Sequence, residues 1–183
     1  TGQLPTDTPQ SIIILQSRLP KALTAILAGC ALPVAGLLMQ TFFRNPVAGP
    51  DILGVSAGSS LLVALVMLTV GTWFSMDVFS NVGIILAAIV GAMLVLFIIL
   101  GVAARVRDSV TLLIFGLMFG MAISAVVGVL QYYSSQGALK LFIMWTFGSL
   151  SGVTWSQLYI LAVIVIIGLL LAVTQIKALN LLL

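Results

Sequence analysis

Five stretches of at least 20 residues contain no charged side chain, and no other feature of this sequence constrains its fold as strongly. Each stretch is long enough to cross a hydrocarbon core of about 30 Å as a helix. Backbone groups in lipid must satisfy their own hydrogen bonds, and the alternating pattern of membrane β-strands is absent from this sequence. The sequence therefore predicts an all-α, polytopic transmembrane helix bundle with about five spans. The stretches are residues 22–43, 52–71, 78–104, 110–133 and 156–176.

Composition excludes several functional classes. The chain is 62% hydrophobic and only 6% charged, whereas soluble domains carry about 25% charged residues. It has no histidine and four acidic residues, which removes most acid–base, metal and Ser-His-Asp chemistries. The phosphate-binding loop of an ATPase is also missing, and Cys30 has no second cysteine to pair with. We therefore expect a protein that is not an enzyme, with no catalytic residue, cofactor, metal site or nucleic-acid partner.

The ends of the chain and one internal segment do not have the pattern of a simple membrane span. Residues 1–10 are polar, include two prolines and are predicted to form an exposed loop. The first residue is Thr1 and the last residues are apolar, so we expect a piece of a longer membrane protein. Residues 137–155 are apolar but rich in glycine and serine. We interpret them as a short outer interfacial helix near residues 138–147 followed by a turn; a sixth crossing is the alternative.

The placement of cations predicts an orientation. Alternating spans divide the cations into two groups, and the group containing the short loop at residues 105–109 is assigned to the cytoplasm. In this orientation residues 1–17 are external, the Lys177 end is cytoplasmic, and the protein is a multi-pass protein of the cell inner membrane. The cytoplasmic group is Arg44, Arg105, Arg107 and Lys177, and the external group is Arg18, Lys21 and Lys140.

Glycines recur at the spacing that allows helices to approach closely in lipid. Gly54 and Gly58 are four residues apart, as are Gly116 and Gly120. This pattern predicts a closely packed bundle. No Asp, Lys or Arg is expected at mid-membrane depth, where an ion-coupled pump usually has one. Active transport by such a bundle would draw its energy from another subunit.

Two cations flank a proline before the first span. Arg18 and Lys21 are three residues apart, so they share a helix face, and Pro20 suits the first turn of a helix. We therefore interpret this segment as a helix start. Two cations at the positive end of a helix dipole need compensation. The pair either extends to lipid headgroups or docks an acidic group of an external partner.

Pro33 lies in the middle of the first span. It removes the hydrogen bond to the Gly29 carbonyl and is predicted to bend the helix. The kink fits a moving element that lines a pathway, and it also fits static packing.

Two short loops follow on the predicted inner side. In the first, Asn45 and Gly49 each precede a proline, which disfavours helix, and Asp51 is expected to cap the next span. This loop is either a tight turn or a structured loop at the inner mouth of a pathway. In the second loop, Asp108 or Ser109 is expected to cap the following helix.

The sequence resembles the signature of FecCD/BtuC-type permeases. The resemblance rests on RLPK at residues 18–21, on the string QTFFRNPVAGPDILGVSAG at residues 40–58, and on WTFGSLSGVTW at residues 145–155. These permeases are membrane subunits of type II ABC importers for iron–siderophore complexes, haem and cobalamin. The resemblance implies that residues 1–183 are a partial transmembrane permease domain. It would correspond to spans 2–6 of a ten-span subunit, without the first span, the coupling loop and the last four spans.

The resemblance also implies partners and sites. The partners are a second permease copy, separate subunits that bind and hydrolyse ATP, a periplasmic or lipid-anchored substrate-binding protein, and membrane lipid. Arg18 and Lys21 match the outward basic pair that meets acidic residues of the binding protein; lysine keeps the charge of the more usual arginine but loses the bidentate contact. Asn45 and Val47 match an inner-gate loop, and Ser109 matches a second inner-gate hinge.

Two other functional classes remain open from the sequence. The chain could be a fragment of a secondary transporter or channel whose pathway lies inside one bundle, or an inert membrane scaffold. The absence of an ATPase partner would be the sign of either. The sequence does not distinguish an iron chelate from haem or cobalamin as cargo.

Overall fold

The computed structural model describes residues 9–70, 81–106, 108–150 and 152–177, and these ranges contain helices and turns but no strand. The predicted all-α class is confirmed. Seven α-helices and two π-helical segments follow one another within these ranges. The α-helices are α1 (Pro9–Ile13), α2 (Leu19–Phe43), α3 (Val55–Ala64), α4 (Asn81–Ala103), α5 (Ser109–Tyr133), α6 (Gln136–Thr146) and α7 (Trp155–Thr174). The π-helical segments are Ile14–Arg18 and Leu65–Val70.

Four helical stretches are long and apolar enough to cross a bilayer. They are Gln10–Phe43, Val82–Ala103, Ser109–Tyr133 and Trp155–Thr174. A fifth apolar helix, Val55–Thr69, is shorter. The architecture is thus the predicted bundle, and the second predicted span is the one whose described helix falls below full spanning length.

The first helix begins earlier than expected. Of the predicted loop at residues 1–10, residues 1–8 lie outside the described ranges, and Pro9 already starts α1. Residues 9–43 then form one helical run, interrupted only by the π-helical turn at Ile14–Arg18. Arg18 and Lys21 therefore do not lie at a helix start, and that interpretation was wrong. Pro20 can lie inside this helix because a wider π-helical turn precedes it. In such a turn the backbone hydrogen bonds join residues five apart, so the carbonyl that lacks a donor because Pro20 has no N–H differs from the one in a regular α-helix.

The second span begins later than expected because a turn precedes it. Residues 50–54 form this turn, and Gly54 closes it with φ 74°, a left-handed conformation that glycine adopts without a steric penalty. Gly54 is the N-cap residue of α3 and has no side-chain cap. The expectation that Asp51 caps this helix was wrong. Its carboxylate instead accepts a hydrogen bond from the Ser56 hydroxyl.

The described residues divide into two compact units, one of which comprises residues 42–148. In this unit α3 packs mainly against α4 and α5. The contacts with α4 are backbone to backbone, because a Cβ atom added to Gly91 would overlap the carbonyl oxygen of Gly58. The Ser59 hydroxyl also donates to the Ala88 carbonyl oxygen at 2.9 Å. The predicted close packing at Gly58 is confirmed.

The short helix α6 belongs to the core of the same unit. Its Phe142 is only 1% exposed and packs into a cluster formed by the end of α3 and the π-helical segment Leu65–Val70 with α4 and α5. The predicted short helix at residues 138–147 is confirmed at Gln136–Thr146. A sixth crossing there was the wrong alternative, because 11 residues of helix reach only about 16 Å. The cluster consists of Val63, Ala64, Met67, Leu68, Ile84, Val127 and Phe142.

The other unit comprises residues up to 41 together with residues from 149 onward. It contains α1, the first π-helical turn, most of α2, and α7. Leu158 and Val165 of α7 are buried, as is Pro20. The helix continues through Pro33, whose side chain is exposed. The bend predicted at Pro33 remains a prediction.

Candidate functional site

The loop that carries Asn45 and Val47 has a defined shape. We call residues 44–54 the gate loop, after the role that the sequence resemblance implies for it. The Asn45 side-chain oxygen accepts from the Val47 backbone N–H at 2.9 Å, and the Asn45 carbonyl accepts from the Ala48 N–H at 3.1 Å. This asparagine turn buries Ala48 and leaves Val47 66% exposed. The loop therefore presents Val47 outward from a fixed turn.

The far end of the gate loop is anchored on α5. Leu53 is 1% exposed, and a Cβ added to Gly116 would lie 2.9 Å from the Leu53 Cα. A Cβ on Gly54 would likewise lie 3.0 Å from the Cα of Gly120. These contacts are between backbones, which cannot adapt as side chains do. Residues 53–54 must therefore move together with α5 or separate from it.

Asp108 caps α5, as the sequence predicted for this loop. Its carboxylate accepts hydrogen bonds from the Thr111 hydroxyl and from the Thr111 backbone N–H, the latter at 2.8 Å. These bonds stabilise the charged form and lower the pKa of Asp108 below its ordinary value of 3.8. This loop thus ends in a fixed turn that positions Ser109 in the first turn of α5.

Ser109 lines a cavity of about 270 Å³ between the end of α2, the end of α4 and the start of α5. Asn45 and Val47 do not line this cavity. The structure thus keeps the two predicted inner-gate segments in one unit, although their named residues do not share a pocket. The lining residues are Phe42, Phe43, Ala103, Val106, Asp108, Ser109 and Leu112.

We expect the Asp108 cap to depend on pH only in strong acid. Because the folded-state pKa is lowered, the cap stabilises the start of α5 above the ordinary carboxyl value and is lost as the pH falls through the lowered pKa. Asp108→Ala should speed hydrogen exchange of the Thr111 amide at neutral pH. Asp108→Asn, which retains an oxygen acceptor, should protect that amide at neutral pH, and its protection factor (the exchange rate relative to an unstructured peptide at the same pH) should no longer fall in acid. A Thr111 protection factor that falls in acid in the Asp108→Asn variant as it does in the wild type would contradict this assignment.

A second, larger groove of about 460 Å³ lies between α3 and α5. Three of its lining residues are serines, namely Ser56 and Ser60 of α3 and Ser124 of α5, and Asp51 stands beside Ser56. Ser124 donates back to the Gly120 carbonyl at 2.9 Å. We call this feature the hydroxyl groove. Its remaining lining residues are Ala57, Leu117, Gly120 and Met121.

The hydroxyl groove was not predicted from the sequence. In the small, polar stretch at residues 53–60, Ser56 is exposed and Ser60 half-buried. The available signal was the spacing, because Ser56 and Ser60 are four residues apart, as are Gly120 and Ser124. Each pair must share one helix face, but the spacing does not identify the opposing helix.

The basic pair, Arg18 and Lys21, lies in the other unit. Arg18 is exposed and Lys21 is half-buried. The helical stretch Gln10–Phe43 has 34 residues and is about 50 Å long, which exceeds a hydrocarbon core of about 30 Å. The charge-free residues 22–43 suffice for the crossing, so the basic pair lies at the boundary or beyond it. The described part of this unit contains no carboxylate that could neutralise the pair.

The described residues include no group of three His, Cys, Asp or Glu side chains positioned to hold a metal ion. The features that remain as candidate functional surfaces are the gate loop, the cavity beside Ser109, the hydroxyl groove and the basic pair. All of them are suited to gating, lining a passage or docking a partner.

Comparison with known proteins gives consistent matches along the chain. Residues 2–183 match the model of the FecCD transport family. The hemin transport system permease protein HmuU of Yersinia pestis is 34% identical over 172 residues, covering 93% of this chain and 51% of HmuU. The vitamin B12 import system permease protein BtuC of Klebsiella pneumoniae is 36% identical over 151 residues, covering 82% of this chain and 44% of BtuC. The chain thus spans about half the length of these relatives.

The fold of the chain also matches a solved structure, again over about half the length of the other protein. It is a metal-chelate type ABC transporter in an inward-facing conformation, with a TM-score of 0.83 and 28% sequence identity. The match covers all of this chain (100%) and 56% of the other.

Proposed function

The chain belongs to the FecCD transport family, and we propose on that basis that the whole protein is the membrane-spanning permease subunit of an ATP-driven importer. Its cargo would be an iron chelate, haem or cobalamin delivered by an external binding protein. The observation that carries this proposal is the match to hemin and vitamin B12 permeases over most of the chain. In this assignment residues 1–183 are part of a permease domain that works with a second permease copy.

The charge distribution supports an external source of energy. No charged residue lies within the described ranges of four helices, α3, α4, α5 and α7. An ion-coupled transporter usually has an ionisable group at this depth. ATP hydrolysis would therefore occur on a separate subunit, and this chain would convert its motion into opening and closing of the pathway.

The proposed orientation follows from the positive-inside pattern. The end of α2 beside Arg44, the Arg105 loop and the Lys177 end would face the cytoplasm, and the basic pair would be external. In this orientation the gate loop and Ser109 belong to the inner side, where they would form the inner gate. The hydroxyl groove extends from Asp51 along α3 and α5, so we propose that it forms a polar part of the pathway wall.

Reconstitution of the full-length protein tests the proposal. The protein is placed in proteoliposomes with the ATPase and the binding protein proposed as its partners, and uptake of labelled haem, cobalamin and a ferric siderophore is measured. We expect uptake of one of these cargos only when both partners and ATP are present. Uptake by the permease alone, driven by an ion gradient, would contradict the proposal and favour a secondary transporter.

The gate assignment predicts a defect in coupling rather than in assembly. Val47→Trp adds bulk at a side chain that is 66% exposed, so the protein should fold and bind its partners normally. We expect several-fold slower uptake or a raised basal ATPase activity, because the larger ring obstructs closure or opening of the loop. Asn45→Ala, which removes the acceptor of the turn, should give a defect of the same kind.

Val90→Trp is the matched control, since Val90 is also exposed but lies on α4, away from the gate loop. It should leave uptake and ATPase activity near wild type. Normal uptake with normal basal ATPase activity in both gate variants would remove these residues from the gate.

A further inference from the structure

In the helix that carries the basic pair, Pro20 leaves a carbonyl group without its backbone donor. In the π-helical turn Ile14–Arg18, the Leu19 backbone N–H donates to the Ile14 carbonyl. The carbonyl of Leu15 would next require the N–H of residue 20, but proline has none. Pro20 and the widened turn together leave the Leu15 carbonyl oxygen without a backbone donor.

A side chain from a distant part of the sequence supplies the missing donor. The indole N–H of Trp155 donates to the Leu15 carbonyl oxygen at 3.2 Å, across 140 residues of sequence. Trp155 is the first residue of α7. Both residues belong to the same compact unit, so this bond is a feature internal to that unit. The indole thus satisfies a carbonyl that Pro20 cannot.

The indole itself is held by its surroundings. Trp155 is half-buried, and its ring lies 6.2 Å from the ring of Tyr159, one helical turn further along α7. Thr154 and Gln157 form a reciprocal capping box that fixes the first turn of α7, with the Thr154 N–H donating to the Gln157 side chain at 3.1 Å. The donor is therefore attached to a well-defined helix start.

The position of this bond matters for the basic pair. Leu15 lies three residues before Arg18, which ends the π-helical turn, and Lys21 follows directly after Pro20. Leu15 and Arg18 belong to the same π-helical turn, so a bond at the Leu15 carbonyl holds the turn that carries Arg18. Such a bond restricts rotation of this turn relative to α7. It therefore also restricts the direction in which the two cations point.

We propose that Trp155 is a positioning residue for the basic pair: its indole N–H replaces the donor lost at Pro20 and fixes the turn that presents Arg18 and Lys21 to an acidic group of the external binding protein. The proposal rests on the proposed function for its partner. The hydrogen bond and its dependence on Pro20 are properties of this chain alone.

Hydrogen exchange tests the bond without any partner. In the full-length protein in lipid nanodiscs, Trp155→Phe should speed amide exchange of the peptide covering residues 14–21. In a Pro20→Ala background the new N–H of residue 20 can donate to the helix, so Trp155→Phe should then have little effect. Trp145→Phe, which alters a tryptophan of the other unit, is the control. No increase after Trp155→Phe, or equal increases in both backgrounds, would overturn the proposal.

A docking measurement tests the consequence. The binding protein of the proposed importer is titrated onto the nanodiscs at several salt concentrations. Trp155→Phe should weaken docking about threefold to tenfold, the range for one hydrogen bond. In an Arg18→Ala/Lys21→Ala background the same change should have no effect, because Trp155 acts through the pair.

The outcomes separate the two levels of inference. Docking that depends on the pair but not on Trp155 would overturn this proposal alone. An equal loss with and without the pair would also overturn it, since Trp155 would then act on the partner or on the fold directly. Docking that does not depend on the pair would refute the docking role that the proposed function gives it, and the positioning role with it.

Discussion

Gly91→Ala is expected to destabilise the full-length protein and to lower its folded yield strongly. The added Cβ would overlap the Gly58 carbonyl oxygen and would lie 3.1 Å from the Ser59 Cα. All the nearest atoms are backbone, so no flexible side chain can move aside. Overpacking of this kind destabilises by about 1–3 kcal/mol. The fall should be visible as a lower midpoint of thermal unfolding in detergent or nanodiscs.

Gly101→Ala is the matched control for this prediction. Gly101 lies on the same helix, α4, and a Cβ there would meet no heavy atom within 4 Å. Alanine favours helix over glycine, so this variant should be as stable as wild type or slightly more stable. If Gly91→Ala and Gly101→Ala unfold at the same temperature, the close crossing of α3 and α4 is not a determinant of stability.

The crossing also shows how far glycine spacing can be interpreted. The four-residue spacing of Gly54 and Gly58, and of Gly116 and Gly120, correctly predicted close helix packing. Gly128 continues the same face of α5, yet a Cβ there would meet no atom within 4 Å. Spacing specifies a helix face, but the neighbour that approaches this face depends on the whole bundle.

Helix boundaries were the least predictable part of the fold. An apolar run indicates burial in lipid but does not distinguish helix from turn, so the turn at residues 50–54 and the left-handed Gly54 were missed. Pro20 fits the sequence pattern of a helix start, and the alternative, a π-helical turn with a donor supplied by Trp155, depends on a contact across 140 residues. No local pattern encodes such a contact.

The candidate sites also divide into local features, which could be predicted, and features that depend on distant contacts, which could not. The Asp108 cap is local to residues 108–111 and was predicted. The hydroxyl groove requires α3 and α5 to lie side by side, and no residue spacing pairs Ser60 with Ser124. What a few consecutive residues determine could be predicted, whereas surfaces built from two helices could not.

Charge reversal of the basic pair is expected to weaken docking of the binding protein at least about tenfold at low salt. In the double variant Arg18→Glu/Lys21→Glu, an acidic group of the partner would meet like charges instead of opposite ones. The wild-type affinity should fall as salt rises, and the gap between the two proteins should narrow.

Single reversals distinguish the two cations. Arg18 is exposed and carries a planar guanidinium that can hold a carboxylate with two hydrogen bonds, whereas Lys21 is half-buried and acts as a point charge. Arg18→Glu should therefore have the larger effect on the dissociation rate. Lys140→Glu is the control, because Lys140 is an exposed cation assigned to the same side of the membrane but belongs to α6 in the other unit.

The competing interpretation of the pair makes a different prediction. If Arg18 and Lys21 only extend to lipid headgroups, their reversal would lower membrane insertion and thermal stability, and the protein that does fold would dock normally. Normal docking of the folded double variant at both low and moderate salt would therefore assign the pair to lipid. A loss as large with Lys140→Glu would indicate a general effect of surface charge, because a docking contact depends on where the cation lies as well as on its sign.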